Sequence, residues 1–370
     1  MARGGSEVAL TRILYGVSGE GSGHSSRARE MIAHLESRGH RVKVASYDRG
    51  YEDLHRQFDT LKIQGLHIGT DDNRVSIVET FMSNLRRLPE GVRFFRDLRG
   101  LFDEFRPHCV ITDFEPQTAY LANQRGVPLI TLDNQHRMRY MSYPCPRRLK
   151  KDALVTETVI RAMIPRPDVS LVTTFWFGET RNERTFLFPP ILRQQVRETR
   201  PEEGDHVLVY VTQTYGTLLR RLSALPREHF LVYGFGRTGS EGNLEFRPFS
   251  RTGFLRDLAS CRAVVATAGF TLMTESFHLG KPCLALPMRG QFEQQLNALL
   301  LEDLGYGRNG HRLTAETIGD FLYRLPEYRE RLRGYVAGDD GQIRAKLDEL
   351  VEDEAARATE FHRRRRNGSA

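Results

Sequence analysis

The feature of this sequence that most constrains its fold is an alternation of short apolar runs with polar loops and amphipathic helices. Four runs of the first half have the composition of β-strands and end abruptly at polar or glycine residues: Thr11 to Val17, Arg41 to Ser46, Cys109 to Thr112 and Pro128 to Leu132. After the first run, Ala28, Met31, Ile32 and Leu35 recur at the spacing of one helical face. This alternation predicts an α/β fold with a parallel sheet covered by helices on both faces.

The second half repeats the plan. Its strand-like runs are Val207 to Val211, Phe230 to Tyr233, Ala263 to Ala266 and Pro282 to Leu286. A length of 370 residues agrees with two domains at about 150 residues each. A Pro- and Arg-rich stretch separates the halves, and we place the hinge near Pro189. We therefore predict an N-terminal domain over residues 1–188, a C-terminal domain over residues 189–345, and a helix with a basic tail over residues 346–370.

Composition excludes a fibrous or a largely disordered chain, because charged residues make up 27% and the hydrophobic set 39%. The net charge of +7 suits phosphate-bearing substrates, anionic membranes or nucleic acid. No apolar run approaches the ~18 residues of a membrane span. The four cysteines are widely spaced, which predicts reduced thiols in a cytoplasmic protein. The run from Arg363 to Arg366 is either a solvated tail or a peripheral contact with an anionic membrane.

A glycine loop follows the first predicted strand. Gly19, Gly21 and Gly23 lead into His24 at the edge where clefts form in parallel sheets. Glycines let the backbone approach a ligand closely, and a histidine there can take a proton from a hydroxyl near neutral pH. The alternative is a flexible turn with a histidine that is satisfied within the loop.

Carboxylates follow two other strands. Asp113 and Glu115 come just after the run Cys109 to Thr112. A carboxylate beside His24 would hold its tautomer and stabilise the imidazolium. The alternative is a helix or turn cap. Asp133, which follows the next strand, has the same ambiguity.

The segment from Ala266 to Asn297 carries the most information. Gly269, Phe270 and Thr271 begin a helix whose amides can receive a diphosphate, and Glu275 can accept hydrogen bonds from a ribose diol. The loop and helix start that include Glu293 and Gln294 are rich in side chains that bind sugar hydroxyls. The alternative there is a solvated loop that caps the next helix.

Read together, these motifs, with Gly280-Lys281-Pro282 and Asn297-Ala298, resemble the donor signature of glycosyltransferases of the B fold (GT-B). Within that superfamily the sequence looks closest to bacterial enzymes akin to the N-acetylglucosaminyl transferase that makes lipid II. The glycine loop resembles their acceptor-side loop. Pro190 to Arg193 resembles the segment by which such enzymes enter the C-terminal domain.

The resemblance implies two Rossmann-like domains that face each other across a cleft. It also implies an inverting, metal-independent transfer of sugar from a nucleoside diphosphate sugar, with uridine as the expected base, and no cofactor. The implied catalytic residues are His24 and Asp113. The implied acceptor-side residues are Gly19, Gly21, Gly23 and Glu115. The implied donor-binding residues are Arg193, Thr212, Gly269, Phe270, Thr271, Glu275, Glu293 and Gln294.

One departure from the family pattern and several open points remain. Thr212 to Gly216 carries one glycine where such enzymes have a glycine-rich loop. The aspartate pairs Asp71-Asp72 and Asp339-Asp340 are expected to be solvated turns and not a metal motif. A sugar-nucleotide 2-epimerase and a non-catalytic nucleotide-sugar binding protein are the alternatives on the same fold. The acceptor can be a small molecule, a glycan or a lipid-linked group, and nucleic acid is not expected as a partner.

Overall fold

The structure is a computed structural model that describes residues 10–65, 70–71, 74–75, 88–211, 216–335 and 340–353. In this part of the chain, two α/β halves are each built on a sheet of their own, so the predicted fold class is confirmed. Thr212 and the run from Arg363 to Arg366 lie outside the described residues. No helix of the described part is long and apolar enough to cross a membrane.

The first half is a parallel sheet with the spatial order β3-β2-β1-β6-β7-β8-β9. Its strands are β1 (Arg12–Val17), β2 (Arg41–Ser46), β3 (Thr60–Lys62), β6 (Cys109–Asp113), β7 (Leu129–Asp133), β8 (Val169–Thr173) and β9 (Thr185–Phe188), and a separate small pair is formed by β4 (Thr70–Asp71) and β5 (Arg74–Val75). Its helices are α1 (Ser22–Ser37), α2 (Asp48–Leu54), α3 (Leu88–Phe105), α4 (Pro116–Arg125), α5 (Arg137–Tyr140) and α6 (Lys150–Met163), with a 3-10 turn at Arg147–Leu149.

The second half has the spatial order β12-β13-β11-β10-β14-β15-β16, and its pairs are parallel except for β12 with β13. Its strands are β10 (His206–Tyr210), β11 (His229–Tyr233), β12 (Gly239–Glu241), β13 (Leu244–Phe246), β14 (Ala263–Thr267), β15 (Cys283–Leu286) and β16 (Gly307–Asn309). Its helices are α7 (Gln194–Glu198), α8 (Gly216–Ser223), α9 (Arg251–Ser260), α10 (Phe270–His278), α11 (Phe292–Leu304), α12 (Ala315–Tyr323) and α13 (Leu325–Leu332).

The central strands are apolar on both faces because helices cover both sides. All five residues of β6, β7 and β14 are buried. In parallel sheets of this kind ligands bind outside the carboxyl ends of the strands. The loops after β1, β6 and β7 in one half, and after β14 and β15 in the other, therefore form the edges that position a site.

A last helix, α14 (residues 341–353), returns to the first half. Ile343, Leu347 and Val351 lie in the same buried cluster as the apolar face of α1. Asp340, at the start of this helix, is buried and pairs with Arg197 and Arg344. The expectation of a solvated turn at Asp340 was wrong, because two arginines from separate helices neutralise its charge.

Candidate active site

The first turn of α1 carries the predicted base. The helix starts at Ser22, so Gly23 and His24 lie within its first turn and not in the loop before it. Gly21 takes a left-handed conformation (φ 77°), which favours glycine, and lets the chain turn from β1 into the helix. Gly19 packs against the backbone carbonyl of Tyr47, where a Cβ atom would collide.

His24 and Asp113 are brought together as predicted. The Nδ1 atom of His24 lies 2.7 Å from Oδ1 of Asp113, whose carboxylate is fully buried at the end of β6. The Nε2 atom is 3.5 Å from the amide nitrogen of Gln135. A hydrogen on Nδ1 that is donated to Asp113 leaves Nε2 able to accept a proton.

Arg27 is a member of this cluster that the sequence analysis missed. Its Nε and Nη2 atoms donate to both oxygens of Asp113 at 2.6 and 2.5 Å. Burial lowers the pKa of Arg27, but the Asp113 charge and hydrogen bonds outweigh burial and raise it. Arg27 also donates from Nη1 to Asn134 at 2.7 Å. The only sequence signal for it is a charged residue one position before the apolar face of α1.

The other two carboxylates at this edge of the sheet, Glu115 and Asp133, form hydrogen bonds within the first half of the chain. Glu115 is the N-cap of α4: it is fully buried and accepts from the backbone amides of Gln117 and Thr118. Burial raises its pKa, although these hydrogen bonds oppose the shift. Glu115 is therefore a helix cap, and its assignment to the acceptor side stays a prediction. Asp133 is also buried and holds the amide and the ring of His136.

The donor side of the prediction lies on α10. Gly269 is its N-cap and makes no side-chain cap hydrogen bond, so the first amides, at Phe270 and Thr271, are left without a capping side chain. Helix N-termini of this kind attract anions. Gly23 of α1 approaches Thr271 so closely that a Cβ atom on the glycine would lie 2.6 Å from the threonine Oγ1. The starts of α1 and α10 thus meet across the cleft.

Glu275 and Arg193, both predicted to bind the donor, bind each other. Arg193 donates from Nε and Nη2 to the two carboxylate oxygens of Glu275 at 2.8 Å each. Burial raises the pKa of Glu275, and Arg193 opposes this shift. Both residues line a narrow cavity between the halves, which Gly23 and Arg27 line from the opposite side. Arg193 therefore brings its charge to the cleft together with a carboxylate.

The start of α11 carries the remaining two residues that were predicted to bind the donor. Glu293 accepts a hydrogen bond of 2.7 Å from the side-chain amide of Asn134 in the first half. Gln294 accepts from the Met288 amide and donates to Gln291, which fixes the preceding loop. Glu293 thus reaches across the cleft, whereas Gln294 shapes its own loop.

Arg137 is a second arginine that the sequence analysis missed. Its side chain is fully buried between the halves, donates to Asn297, and lies over the ring of Phe270 with the guanidinium carbon 5.1 Å from the ring centroid. Burial lowers its pKa to about 10, so it is a cation at neutral pH. Among the described residues, no group of three or more His, Cys, Asp or Glu side chains is arranged to hold a metal ion.

Solved structures share this architecture. The glycosyltransferase of kitacinnamycin superposes with a TM-score of 0.67 at 19% identity, over 93% of this chain and 99% of that chain. Phytolacca americana UGT2, solved with UDP-2-fluoro-glucose and pterostilbene, gives 0.65 at 14% identity over 93% and 99%. The Streptomyces glycosyltransferase SsfS6, solved with thymidine diphosphate, gives 0.58 at 18% identity over 93% and 100%. These likenesses confirm the GT-B fold.

Sequence comparison gives the family. An uncharacterized glycosyltransferase of Methanosarcina acetivorans is 24% identical over 93% of this chain and 97% of its own length. The sequence model of glycosyl transferase family 1 matches residues 11–326. The match covers both halves and every site described above, so neither the epimerase nor the non-catalytic alternative is favoured. The chain belongs to glycosyl transferase family 1 and is a glycosyltransferase.

Proposed function

We propose that this enzyme transfers a sugar with inversion from a uridine diphosphate sugar to an acceptor hydroxyl, without a metal ion. The observation that carries the proposal is the meeting of α1 and α10: a histidine–aspartate pair lies on one side of the cleft and an uncapped helix start on the other. His24 removes the acceptor proton at Nε2, and the oxygen then attacks the anomeric carbon from the side opposite the leaving diphosphate. A single displacement of this kind inverts the anomeric centre.

The helix start and Arg193 support departure of the nucleoside diphosphate. As the bond to the sugar breaks, negative charge grows on the diphosphate oxygens. Preorganised amides at the first turn of α10 and the nearby Arg193 offset that charge without a metal ion. In this proposal Glu293, which accepts from Asn134 at Oε1, also accepts from hydroxyls of the transferred sugar.

The choice of uridine as the nucleobase of the donor rests on the motifs and on two structural neighbours. One of them was solved with a UDP-sugar and the other with thymidine diphosphate. We test it by titrating UDP, thymidine diphosphate, ADP and GDP into the protein and following its melting temperature, which rises for a ligand that binds the native state. UDP should give the largest rise. A larger rise with a purine nucleotide would contradict the donor assignment.

Transfer is tested with UDP-glucose and UDP-N-acetylglucosamine against a panel of phenols, sugars and lipid-linked hydroxyls. The anomeric configuration of the product, read by NMR, decides between inversion and retention. Unchanged turnover in EDTA supports metal independence, and loss that Mg²⁺ restores contradicts it. Epimerised nucleotide in reactions without acceptor would indicate the 2-epimerase activity instead.

Glu275 is the proposed ribose ligand. Its oxygens accept from Arg193 and retain further lone pairs for a diol. We expect Glu275→Ala to weaken UDP binding by about ten- to a hundredfold, the equivalent of the roughly 1.5–3 kcal/mol of a charge-assisted hydrogen bond. Calorimetry measures this, with the exposed Glu316→Ala as control. Unchanged UDP affinity in Glu275→Ala would remove the ribose assignment.

The basic run from Arg363 to Arg366 is proposed to contact anionic membranes at about 1 kcal/mol for each nearby basic side chain. Sedimentation with phosphatidylserine vesicles, with and without residues 360–370, tests this. Equal, negligible binding by both forms would leave the run as a solvated tail.

A further inference from the structure

The helix α6 turns apolar side chains towards the solvent. Leu154, Val155 and Val159 are 66%, 49% and 43% exposed, and they are three of the nine large hydrophobic residues that are exposed in the described part of the chain. Tyr120 is a fourth, and it lies beside the last turn of α6, where its hydroxyl donates to the backbone oxygen of Ala162 at 2.6 Å. Single exposed apolar residues are common on protein surfaces, whereas a cluster around one helix is typical of an interaction surface.

These residues lie on the outer side of α6 because packing fixes its inner side. Leu149, just before the helix, and Ile160 belong to a buried cluster that is built mainly from the second half. The two acidic residues of the helix, Asp152 and Glu157, are half-buried. The residues that are exposed form what we call the outer face of α6: Lys150, Lys151, Leu154, Val155, Thr158, Val159, Arg161 and Ala162. This face therefore carries cations and apolar side chains and no carboxylate.

A basic cluster lies at the amino-terminal end of this face. Its members are exposed and stand within five positions: Arg147, Arg148, Lys150 and Lys151. None of these four forms an ion pair among the described residues, whereas Arg161, near the other end of the helix, lies 3.3 Å from Glu157. Cations at the start of a helix repel one another and the positive end of the helix dipole. Contact with an anionic surface would relieve this repulsion.

We infer that the outer face of α6 docks on an anionic lipid leaflet, with the basic cluster at the headgroups and the apolar side chains in the acyl boundary. Charge complementarity and apolar burial both favour this partner. Nucleic acid offers the charge, but its phosphate backbone offers no apolar layer for Leu154 and Val155. A second copy of the same face would bring like charges together.

This inference does not depend on the proposed transfer reaction, because the outer face of α6 contains none of the proposed catalytic or donor-binding residues. It is also distinct from the proposed contact of the run from Arg363 to Arg366, which has no apolar side chains. The outer face of α6 adds an apolar contact that substitutions can remove without changing any charge.

The test is sedimentation of the full-length protein with vesicles of phosphatidylcholine that contain or lack phosphatidylserine. Leu154→Ser/Val155→Ser should lower the partition into phosphatidylserine vesicles about tenfold or more, because two apolar side chains no longer gain from leaving water. Both residues are exposed, so the fold does not rely on them. Tyr323→Ser is the matched control: it removes an exposed apolar residue of α12 in the second half and should bind like the wild type.

Lys150→Gln/Lys151→Gln tests the charge. Each basic side chain near an anionic leaflet contributes about fivefold to binding, so the double variant should bind about twentyfold more weakly or less. Arg220→Gln/Arg227→Gln removes the same charge from two exposed arginines of the second half and should weaken binding much less. The wild type should bind vesicles that lack phosphatidylserine far more weakly than vesicles that contain it.

Wild-type partition by either α6 variant would overturn the inference, and so would equal binding of the wild type to both kinds of vesicle. A dimer that forms without lipid and is lost in Leu154→Ser/Val155→Ser would also overturn it, since the face would then join two copies of the chain; sedimentation velocity measures this. Transfer from UDP-glucose to a water-soluble acceptor should be equal in the wild type and both α6 variants. The proposed function therefore succeeds or fails in a separate assay.

Discussion

At the scale of single residues, the proposed catalytic base, His24, is the first point to test. His24 lies against a buried carboxylate and points Nε2 away from it. We expect His24→Ala to lower kcat by about 10²–10⁴-fold, the usual contribution of a general base. Donor affinity should change little, because the proposed donor contacts lie on α10 and α11. Steady-state kinetics and UDP calorimetry measure the two quantities, and Asp113→Asn should cost less than His24→Ala. Wild-type turnover without His24 would remove it from the mechanism.

Asp133 gives a prediction about stability and pH. It is fully buried and accepts from the amide and the ring of His136 at 2.8 and 2.7 Å. Burial raises the pKa of Asp133, but the charge and hydrogen bonds of His136 together with the charge of Arg27 outweigh burial, so the net pKa lies below the usual value. A carboxyl with a depressed pKa stabilises the fold above its unfolded-state pKa, and this contribution is lost as the pH falls through the folded-state pKa.

We therefore expect Asp133→Asn to lower the free energy of unfolding by about 1.5–3 kcal/mol at pH 7. The difference from the wild type should shrink below about pH 4, where the unfolded wild-type carboxyl begins to take up its proton. Urea unfolding at a series of pH values measures this. A difference that is constant from pH 7 to pH 3 would show that the carboxylate charge is not what matters.

The residues that the sequence analysis missed share a physical cause. Arg27 and Arg137 are buried because partners 86 and 160 positions away surround them, and such partners are invisible in local periodicity. Glu115 is the opposite case. A carboxylate directly before Pro116 is a local N-cap pattern, and the structure shows this cap.

At the scale of elements, the strands predicted from apolar runs are present. The ends of β1, β2, β6 and β7 lie within one residue of the predicted ends. Strands β8 and β9 are not predicted by the apolar pattern, because β8 interleaves Ser170 and Thr173 with its apolar residues and β9 has four residues. Short strands at a sheet edge depend on pairing with their neighbours more than on their own composition.

The contact of α1 with α10 predicts that a substitution at Gly23 lowers activity without lowering stability. Gly23 sits inside a helix, where Ala is better by roughly 0.5–1 kcal/mol. A Cβ atom there would nevertheless lie 2.6 Å from Thr271 Oγ1, so either the Thr271 side chain must rotate or α1 and α10 must move apart. We expect Gly23→Ala to keep or raise the melting temperature and to lower transfer from UDP-glucose.

The controls for this change are available in the chain. Gly319→Ala adds the same methyl group to α12 in open space and should leave transfer intact. Thr271→Ala removes the colliding oxygen and should restore part of the transfer lost in Gly23→Ala. Full activity in Gly23→Ala would mean that the two helix starts need not touch during the reaction.

At the scale of the whole molecule, side chains hold the two halves together through bonds that cross the cleft. Arg251 of α9 binds Asp53 of α2, and the indole of Trp176 donates to Asp303 of α11 at 2.9 Å. Trp176 is the only tryptophan in the sequence. Its fluorescence therefore reports the environment of one side chain at the boundary between the halves.

Arg137 is the buried centre of that boundary and provides the whole-molecule test. Arg137→Ala removes the bond to Asn297 and the stacking on Phe270, which for a desolvated cation is worth about 2 kcal/mol or more. The halves should then separate more readily, and the Trp176 emission should shift to the red as water reaches the indole. Arg139→Ala is the matched control, because Arg139 lies on the same helix but stacks on Tyr140 within its own half. UDP-glucose, which bridges both halves in the proposed mechanism, should reverse the shift in Arg137→Ala. An emission spectrum equal to that of the wild type would show that the surrounding apolar contacts, and not Arg137, hold the two halves together.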